Sequence, residues 1–401
     1  MNPYAISGYL IKIDKITCFL FVLILIFSFL SLIFSDFKRE NVVLKFNQYL
    51  SMIVSTMLIL SSDHLLLTFL GLVLLLFSST DFKKMRNLKL SKVLIFAILI
   101  LSFSLVALYG AFGTLYFSVL GDFSVKSMGG VHGLYVYLAL ALIVSFSLWL
   151  AGLFPFSFKG DSQDIFCKTL YLISAAAIFI KLGGIKLLHS GNVYSNLIFV
   201  SCIATITWGN VVALSKDDIK SWGHYIILTQ VGFFVIPLGL YGIDASLSLD
   251  IFTQGMIHFI FSVLGLMIIL NEIEMRAGGL VLDLAGLYRR SLPLSVALVV
   301  FLMNIAGMPV TWGYVLRFNL LSALLKADLI WVVIFLAINT VLLVANILRV
   351  FHVVPLVEGA NKKKIEMGYK PFSVVMFLIL VFIYFGIFPD SLLSLIGNSL
   401  R

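Results

Sequence analysis

Long apolar runs constrain this sequence more than any other feature. A helix needs about 20 apolar residues to cross a bilayer, and runs of that length follow one another along the whole chain. Of the 401 residues, 61% are hydrophobic and 12% are charged. In a typical soluble domain, about half of the residues are hydrophobic and about a quarter are charged. The sequence therefore predicts an all-α polytopic membrane protein. Its 12 candidate spans are 15–35, 44–62, 63–80, 91–117, 131–154, 164–189, 194–214, 219–242, 249–271, 291–325, 328–354 and 370–398.

The segments between the runs are too short for an independent soluble domain. The longest, near 272–290 and 355–370, are far below the size of a folded domain. We therefore expect a single membrane domain over residues 1–401, without a binding site for haem, flavin or an iron-sulfur cluster. Cys18, Cys167 and Cys202 lack the spacing of metal or redox motifs, so we expect no metal site. No small-residue cleavage site follows the first apolar run, so a removable signal peptide is not expected.

The basic residues alternate between the two predicted sides of the membrane. With an outside N-terminus, 12 spans return the C-terminus to the outside, and 20 of the 28 basic residues fall in cytoplasmic segments. Cytoplasmic loops carry such an excess of Lys and Arg. The net charge of +9 is thus explained by topology, and we expect a lipid bilayer rather than nucleic acid as the surrounding partner. The cytoplasmic set is Lys38, Arg39, Lys45, Lys83, Lys84, Arg86, Lys89, Lys92, Lys159, Lys168, Lys216, Lys220, Arg276, Arg289, Arg290, Arg349, Lys362, Lys363, Lys364 and Lys370.

Lys181 lies inside a largely apolar run, residues 170–188, whose other lysine, Lys186, is near its end. An ionisable group in the hydrocarbon region costs several kcal/mol unless it contacts a partner or water. Lys181 is therefore the first candidate for an ion or proton path. Snorkelling to an interface is the alternative, but apolar residues extend on both sides of this lysine.

Two segments interrupt the spans with Gly and Pro. They are Ala151–Phe156 (AGLFPF) and Ala306–Pro309 (AGMP), the second inside the overlong run 291–325. Proline removes an amide donor, which a membrane interior tolerates only where protein or cavity water supplies partners. A single Pro kink is the simple interpretation of each break. Two breaks about five spans apart favour a fold built from inverted repeats with interrupted helices.

Four stretches of the chain match motifs that occur together in one family. Gly209–Leu214 (GNVVAL), with the following Asp218-Ile219-Lys220, Tyr225 and Gly232, resembles a GN-x-x-AL and D-[LI]-K signature. Asn304–Phe318 (NIAGMPVTWGYVLRF) resembles the family's second break motif. Pro155-Phe156 with Lys181 resembles VPFH and a later lysine, and Ile13–Ile16 resembles the entry to the family's third helix. By these motifs the chain resembles the antiporter-like membrane subunits of respiratory complex I, and most closely their subunit N branch.

The resemblance implies two inverted five-helix repeats, approximately residues 44–189 and 194–354, each with one broken helix. It also implies a line of charged residues along the membrane midplane. On this basis Lys181 matches the central lysine, Lys220 the lysine of the D-[LI]-K motif, and Arg317 the lysine after the second break.

Several family positions are changed in this chain. Val73 stands where the family usually carries a membrane glutamate, Leu150 where it carries a lysine, and Ser157 where it carries a histidine. Val73 and Leu150 cannot ionise. Arg317 keeps its positive charge, but a guanidinium does not release its proton. Lys181 is then the best remaining proton carrier, and a divergent scaffold without pumping is the alternative.

Other polar residues have two interpretations each. His258 lies deep in the span 249–271 near Gln254 and Ser262, where it serves either as a proton relay or as a buried histidine bonded to a neighbouring helix. His224 and Tyr225, one turn after Lys220, are candidates for a cytoplasmic entrance. Asp63 and His64 stand at a predicted outer helix boundary and are interpreted as interfacial polar residues.

Three functional hypotheses follow. The first, which the resemblance favours, is a non-redox membrane-arm subunit of a proton-translocating NADH:quinone oxidoreductase in the cytoplasmic membrane of a bacterium. NADH, FMN, iron-sulfur clusters and quinone would then bind to partner subunits. The second is a subunit of a multi-subunit cation/proton antiporter or a membrane-bound hydrogenase. The third, a stand-alone secondary transporter, requires a substrate site at the broken helices, where Ser157, Asn304 and Thr311 offer few polar groups.

Overall fold

A computed structural model describes residues 10–34, 42–79, 88–120, 131–153, 165–183, 193–356, 364 and 368–389. Nearly all of these residues are helical, and they form isolated β-bridges but no extended strand. The predicted all-α class is confirmed. The helices are α1 (Lys15–Phe34), α2 (Val42–Ser61), α3 (Leu65–Ser79), α4 (Leu88–Phe112), α5 (Phe117–Leu120), α6 (Val131–Leu150), α7 (Ile165–Gly183), α8 (Val193–Leu214), α9 (Ile219–Val235), α10 (Ala245–Arg276), α11 (Leu287–Arg290), α12 (Leu292–Ala306), α13 (Trp312–Lys326), α14 (Ile330–Leu356) and α15 (Tyr369–Ile387), with 3₁₀ turns at Ile236–Leu240 and Val281–Leu284.

Each predicted span contains a helix, and the overlong tenth span contains two, α12 and α13. Within the described residues, five helices are long and apolar enough to cross a membrane by themselves. Shorter apolar helical stretches occur in the remaining spans. The five long ones are Tyr194–Leu214, Ile219–Leu240, Ala245–Arg276, Ile330–Val354 and Tyr369–Ile387.

Both predicted interruptions are present where the chain is described. Helix α6 ends at Leu150, and Gly152 then adopts a left-handed conformation with φ of 70°. Helix α12 ends at Ala306, followed by Gly307 with φ of 72° as its C-cap. Val310 has φ of 73°, a strained value for a β-branched residue. The remainder of the first interruption, including Pro155 and Ser157, lies outside the described residues.

The chain divides into two compact units, Met1–Leu197 and Ile198–Arg401. In the first, α2 packs along α3 and α4 along α6. In the second, α10 contacts α9, α12, α13 and α15. The predicted repeats, approximately residues 44–189 and 194–354, and their inverted relationship stay predictions.

Asp244 caps the N-terminus of α10. Its carboxylate accepts hydrogen bonds from the Leu247 amide at 3.0 Å and the Ser246 hydroxyl at 2.8 Å. These bonds, the Leu247 amide first, hold the pKa of Asp244 below its ordinary value, because they stabilise the charged form.

We expect the stabilisation from this cap to decrease under acid conditions. A carboxyl whose pKa is lowered by folding stabilises the protein above its unfolded pKa, and this contribution is lost as pH falls through the folded pKa. The loss should therefore begin near pH of about 4. Thermal unfolding of the purified chain against pH measures it. Asp244→Asn keeps a good capping group but cannot titrate, so its stability should fall less steeply; parallel curves for variant and parent would contradict this assignment.

Candidate functional site

The turn between α2 and α3 forms a rigid platform in the first unit. Residues 62–64 connect the two helices, and short β-bridges join Ile11 to Ser62 and His64 to Tyr116. The amide of Asp63 donates to the Leu10 carbonyl at 3.0 Å, and the Asp63 carbonyl accepts from the Phe117 amide at 2.9 Å. The turn is therefore fixed by backbone bonds on both sides.

Lys181 contacts the C-terminal end of α2. Its ammonium donates to the carbonyls of Ile59 and Ser62, each at 2.5 Å, and to the Ser62 hydroxyl at 3.0 Å. It also lies 5.6 Å from the centre of the Phe117 ring. The last carbonyls of a helix have no partner within the helix and carry its negative dipole end. The end of α2 thus supplies the negative partner that a membrane lysine requires.

Lys181 lies within the described part of the predicted span 164–189. It stands two residues before Gly183, the last described residue of α7. Lys181 is half-buried, and residues 184–190 lie outside the described residues.

Val73 and Leu150 are apolar at the changed family positions. Val73 lies eight residues into α3, about 12 Å along the helix axis from Leu65, whereas Lys181 contacts the turn that precedes Leu65. Leu150 is the buried last residue of α6. In the described residues, the hydrogen bonds of the Lys181 ammonium therefore go to the end of α2, at Ile59 and Ser62, and not to α3.

His258 is the centre of a buried polar cluster in the second unit. Its Nε2 is 2.9 Å from Nδ2 of Asn304 and 3.4 Å from the Ser262 hydroxyl. Asn304 Nδ2 also donates to Ser262 at 3.1 Å. The Oδ1 of Asn304 accepts from the Gly313 amide at 3.0 Å, and this bond fixes the orientation of the carboxamide.

The fixed carboxamide determines the tautomer of His258. Because Oδ1 of Asn304 faces a backbone N–H, its NH₂ group must face His258, so Nε2 accepts and the ring proton resides on Nδ1. Protonation of Nε2 would require Asn304 to turn away. Of the two interpretations of His258, this geometry favours the histidine bonded to a neighbouring helix; its role in a proton path stays a prediction.

Arg317 contacts a second helix end. One Nη donates to the Ile305 carbonyl at 2.7 Å, near the C-terminus of α12, and the other donates to Thr340 at 3.2 Å. The guanidinium carbon lies 4.2 Å from the centre of the Phe233 ring, within range of a cation–π interaction. Arg317 thereby joins α13 to α12, α14 and α9.

Two cavities meet at Arg317. The smaller, of about 50 Å³, is lined by Gln230, His258, Ser262 and Arg317 among apolar residues, and it has room for a few water molecules. The larger, of about 170 Å³, is lined by Arg317 and Thr340 and by aromatic residues including Tyr314 and Phe318. Two of the predicted site residues, His258 and Arg317, therefore line the same small cavity.

The close approach of α12 and α13 depends on Gly313. A Cβ at this position would overlap the backbone carbonyl oxygen of Asn304. Gly313→Ala should therefore destabilise the chain by about 1–3 kcal/mol, the usual effect of overpacking. Gly110→Ala is the matched control, because a Cβ there meets no atom within 4 Å. Thermal unfolding in detergent compares the two, and equal melting temperatures would contradict this packing.

Lys220 lies apart from these cavities, in the first turn of α9. It forms an ion pair with Glu274 near the end of α10. About 15 Å of helix separates Lys220 from Gln230 at the small cavity. Of the neighbours proposed for an entrance, Tyr225 contacts Lys216, whose ammonium is 5.7 Å from the ring centre, and His224 packs against Tyr225.

In the described part of the chain, several cationic side chains bind carbonyls at helix ends. Besides Lys181 on α2 and Arg317 on α12, Arg349 donates to the carbonyl of Leu214, the last residue of α8, at 2.8 Å and to that of Lys216 at 3.1 Å. Arg349 also pairs with Asp217. Sequence analysis did not identify Glu274, Arg349 or the end of α2 as partners, because nothing in the sequence states which helix ends lie beside which side chains.

Comparisons with known proteins agree with one another. The family model described as NADH:quinone oxidoreductase/Mrp antiporter, TM, matches residues 56–343. The NADH-quinone oxidoreductase subunit N 2 of Syntrophobacter fumaroxidans is 26% identical over 405 residues, covering 95% of this chain and 83% of the relative.

Solved structures share the fold at low sequence identity. A chain of the archaeal membrane-bound sulfane sulfur reductase superimposes with a TM-score of 0.81 at 17% identity, covering 99% of this chain and 84% of that one. A chain of respiratory complex I from Thermus thermophilus with bound aureothin gives 0.73 at 17% identity, with coverages of 98% and 88%.

Proposed function

Because the chain belongs to the NADH:quinone oxidoreductase/Mrp antiporter membrane family, we propose that it is a membrane-arm subunit of a proton-pumping NADH:quinone oxidoreductase. The family resemblance predicted from the sequence motifs is thereby confirmed. The observation that carries this proposal is the similarity to a relative named subunit N over 95% of the chain. In this role the chain contributes no redox centre, and NADH, FMN, iron-sulfur clusters and quinone bind to partner subunits.

Lys181 is the proton carrier in this proposal. Its three contacts at the end of α2 are carbonyl and hydroxyl oxygens. Neutral carbonyl and hydroxyl oxygens stabilise an ammonium less than a negatively charged carboxylate would. A lysine held by them therefore releases its proton more readily than one paired with a carboxylate. Lys181 can therefore alternate between ammonium and amine without leaving a buried carboxylate unpaired.

The other predicted residues have supporting roles. Lys220, paired with Glu274, lies at the end of α9 that the distribution of basic residues predicts to be cytoplasmic, where the pair contributes to the electrostatic potential that entering protons meet. Arg317 keeps a fixed positive charge beside the 50 Å³ cavity. His258 lines this cavity as a neutral polar group that can hold water.

Deletion of the chain from its native membranes, followed by re-expression, tests this function. We expect NADH-driven proton uptake by inverted membrane vesicles to be lost and then restored. Unchanged NADH-driven uptake in the deletion strain would contradict the proposal. Loss of Na⁺/H⁺ exchange instead would favour an antiporter subunit, the second function that the family description includes.

A further inference from the structure

We propose that Asp63 exchanges protons with Lys181 and connects this lysine to the aqueous surface at the turn between α2 and α3. The inference rests on the proposed function, in which Lys181 carries protons. It assigns to Lys181 a proton-exchange partner, Asp63, at a position other than the changed family positions Val73 and Leu150.

Asp63 stands directly beside the group that Lys181 binds. The ammonium donates to the carbonyl and hydroxyl of Ser62, and Asp63 is the next residue. The Asp63 carboxylate acts electrostatically on the ammonium of Lys181. Ser62 is buried whereas Asp63 is half-exposed, so the pair extends from the interior to the surface.

The position of the Asp63 carboxylate is fixed from both sides. Its backbone is bonded to Leu10 and Phe117, and its Oδ2 accepts a hydrogen bond of 2.7 Å from the hydroxyl of Ser118. Ser118 is exposed, which places this oxygen at the edge of the protein. The Asp63 carboxylate is thus a proton acceptor with a fixed position, one residue from the oxygens that bind Lys181, and in this proposal the proton passes between the two groups through intervening water.

The other titratable groups around the turn are engaged elsewhere. Nδ1 of His64 accepts from the Leu66 amide at 3.2 Å, so the ring proton resides on Nε2. Tyr116 packs edge-on against the His64 ring, with 4.6 Å between ring centres. Lys12 pairs with Asp14 at 3.4 Å. Among the described residues at this turn, Asp63 is the carboxylate available to Lys181.

The transfer balances without another reactant. The ammonium of Lys181 loses one proton as its N–H bond breaks, and a carboxylate oxygen of Asp63 gains that proton as an O–H bond forms. The charged ammonium and carboxylate become a neutral amine and a neutral carboxylic acid. The acid then releases its proton to water at the exposed side, and the amine takes up the next proton from the interior.

Carbodiimide labelling of the purified full-length chain tests the coupling between the two groups. A carbodiimide reacts with a protonated carboxyl, and mass spectrometry quantifies the adduct at Asp63. Removing the neighbouring positive charge increases the protonated fraction, since an opposite charge at short range stabilises the carboxylate. We expect Lys181→Gln, whose amide can still donate hydrogen bonds to the end of α2, to increase labelling at Asp63 over that of the parent.

Two controls make the labelling specific. Lys181→Arg keeps the positive charge and should label like the parent, which also reports a folded site. Asp244, exposed and on the other unit, should label equally in all variants. Equal labelling of Asp63 in Lys181→Gln and the parent would overturn the proposal.

A second readout uses the intact native membranes. Asp63→Asn should lower NADH-driven proton uptake by the same factor as Lys181→Gln, and Asp63→Glu should restore part of it. Full uptake in Asp63→Asn beside reduced uptake in Lys181→Gln would overturn the role of Asp63 while leaving the proposed function intact. The labelling experiment uses the purified chain and does not require the assembled complex. A failure of the proposed function therefore leaves the labelling result valid, and the two failures can be told apart.

Discussion

Arg317→Ala should leave little of the chain folded in the membrane. The substitution removes hydrogen bonds to Ile305 and Thr340 and the stacking on Phe233. It also enlarges the space between cavities of about 50 and about 170 Å³. Hydrogen bonds to charged groups contribute about 1.5–3 kcal/mol each, so we expect a loss of about 3–5 kcal/mol, a large part of the stability of a typical domain.

The yield of monodisperse protein in mild detergent and its melting temperature measure this effect. Arg317→Lys is the matched control. Its ammonium can still bind the Ile305 carbonyl, but it loses the planar stacking on Phe233 and the second hydrogen bond, to Thr340. We expect its stability to lie between those of Arg317→Ala and the parent. A parent-like yield and melting temperature for Arg317→Ala would contradict the role of Arg317 as the link between α13 and its neighbours.

Lys181→Met should reduce proton translocation far more than it reduces assembly. Methionine fills a similar volume but cannot carry a proton. The buried carbonyl of Ile59 keeps a hydrogen bond of 2.9 Å from the Ser62 hydroxyl, whereas the buried carbonyl of Ser62 loses Lys181 as its donor. A positioned acid–base group contributes about 10²–10⁴-fold to a proton transfer, so we expect at least about a tenfold decrease in NADH-driven dye quenching by inverted vesicles.

The matched control is Lys326→Met, which changes an exposed lysine in the last turn of α13. It should quench like the parent. Dye quenching is compared at equal amounts of assembled protein, with NADH oxidation recorded in the same vesicles. Equal quenching by Lys181→Met and the parent would exclude Lys181 as the proton carrier and favour the scaffold interpretation.

The sequence predicted the elements of this fold well, because each is specified locally. An apolar run of about 20 residues requires a helix in a bilayer, and every predicted span contains one. Gly307 and Pro309 likewise predict an interruption between α12 and α13 from the conformations that these residues adopt. The limits of α10, Ala245–Arg276, were less predictable, because polar residues at both ends of the span 249–271 are compatible with a loop.

The partners within the site were less predictable than the elements. Lys181 was identified because a charge in an apolar run needs a reason, but its partners lie about 120 residues earlier, at the end of α2. Asp63 and His64 were recognised only as a polar helix boundary. Their connection to Lys181 depends on how α2, α3 and α7 pack, and carbonyl oxygens carry no residue-specific signal. Asn304 shows the same limit, because its effect on His258 requires the contact with Gly313.

The most direct test of the central claim is affinity purification of a tagged copy from native membranes, in mild detergent, with every co-purifying protein identified by mass spectrometry. We predict recovery of the NADH-binding, iron-sulfur and quinone-site subunits of an NADH:quinone oxidoreductase in amounts comparable to the tagged chain. Recovery of the chain alone, or with the subunits of a cation/proton antiporter or a hydrogenase, would contradict its assignment to this complex.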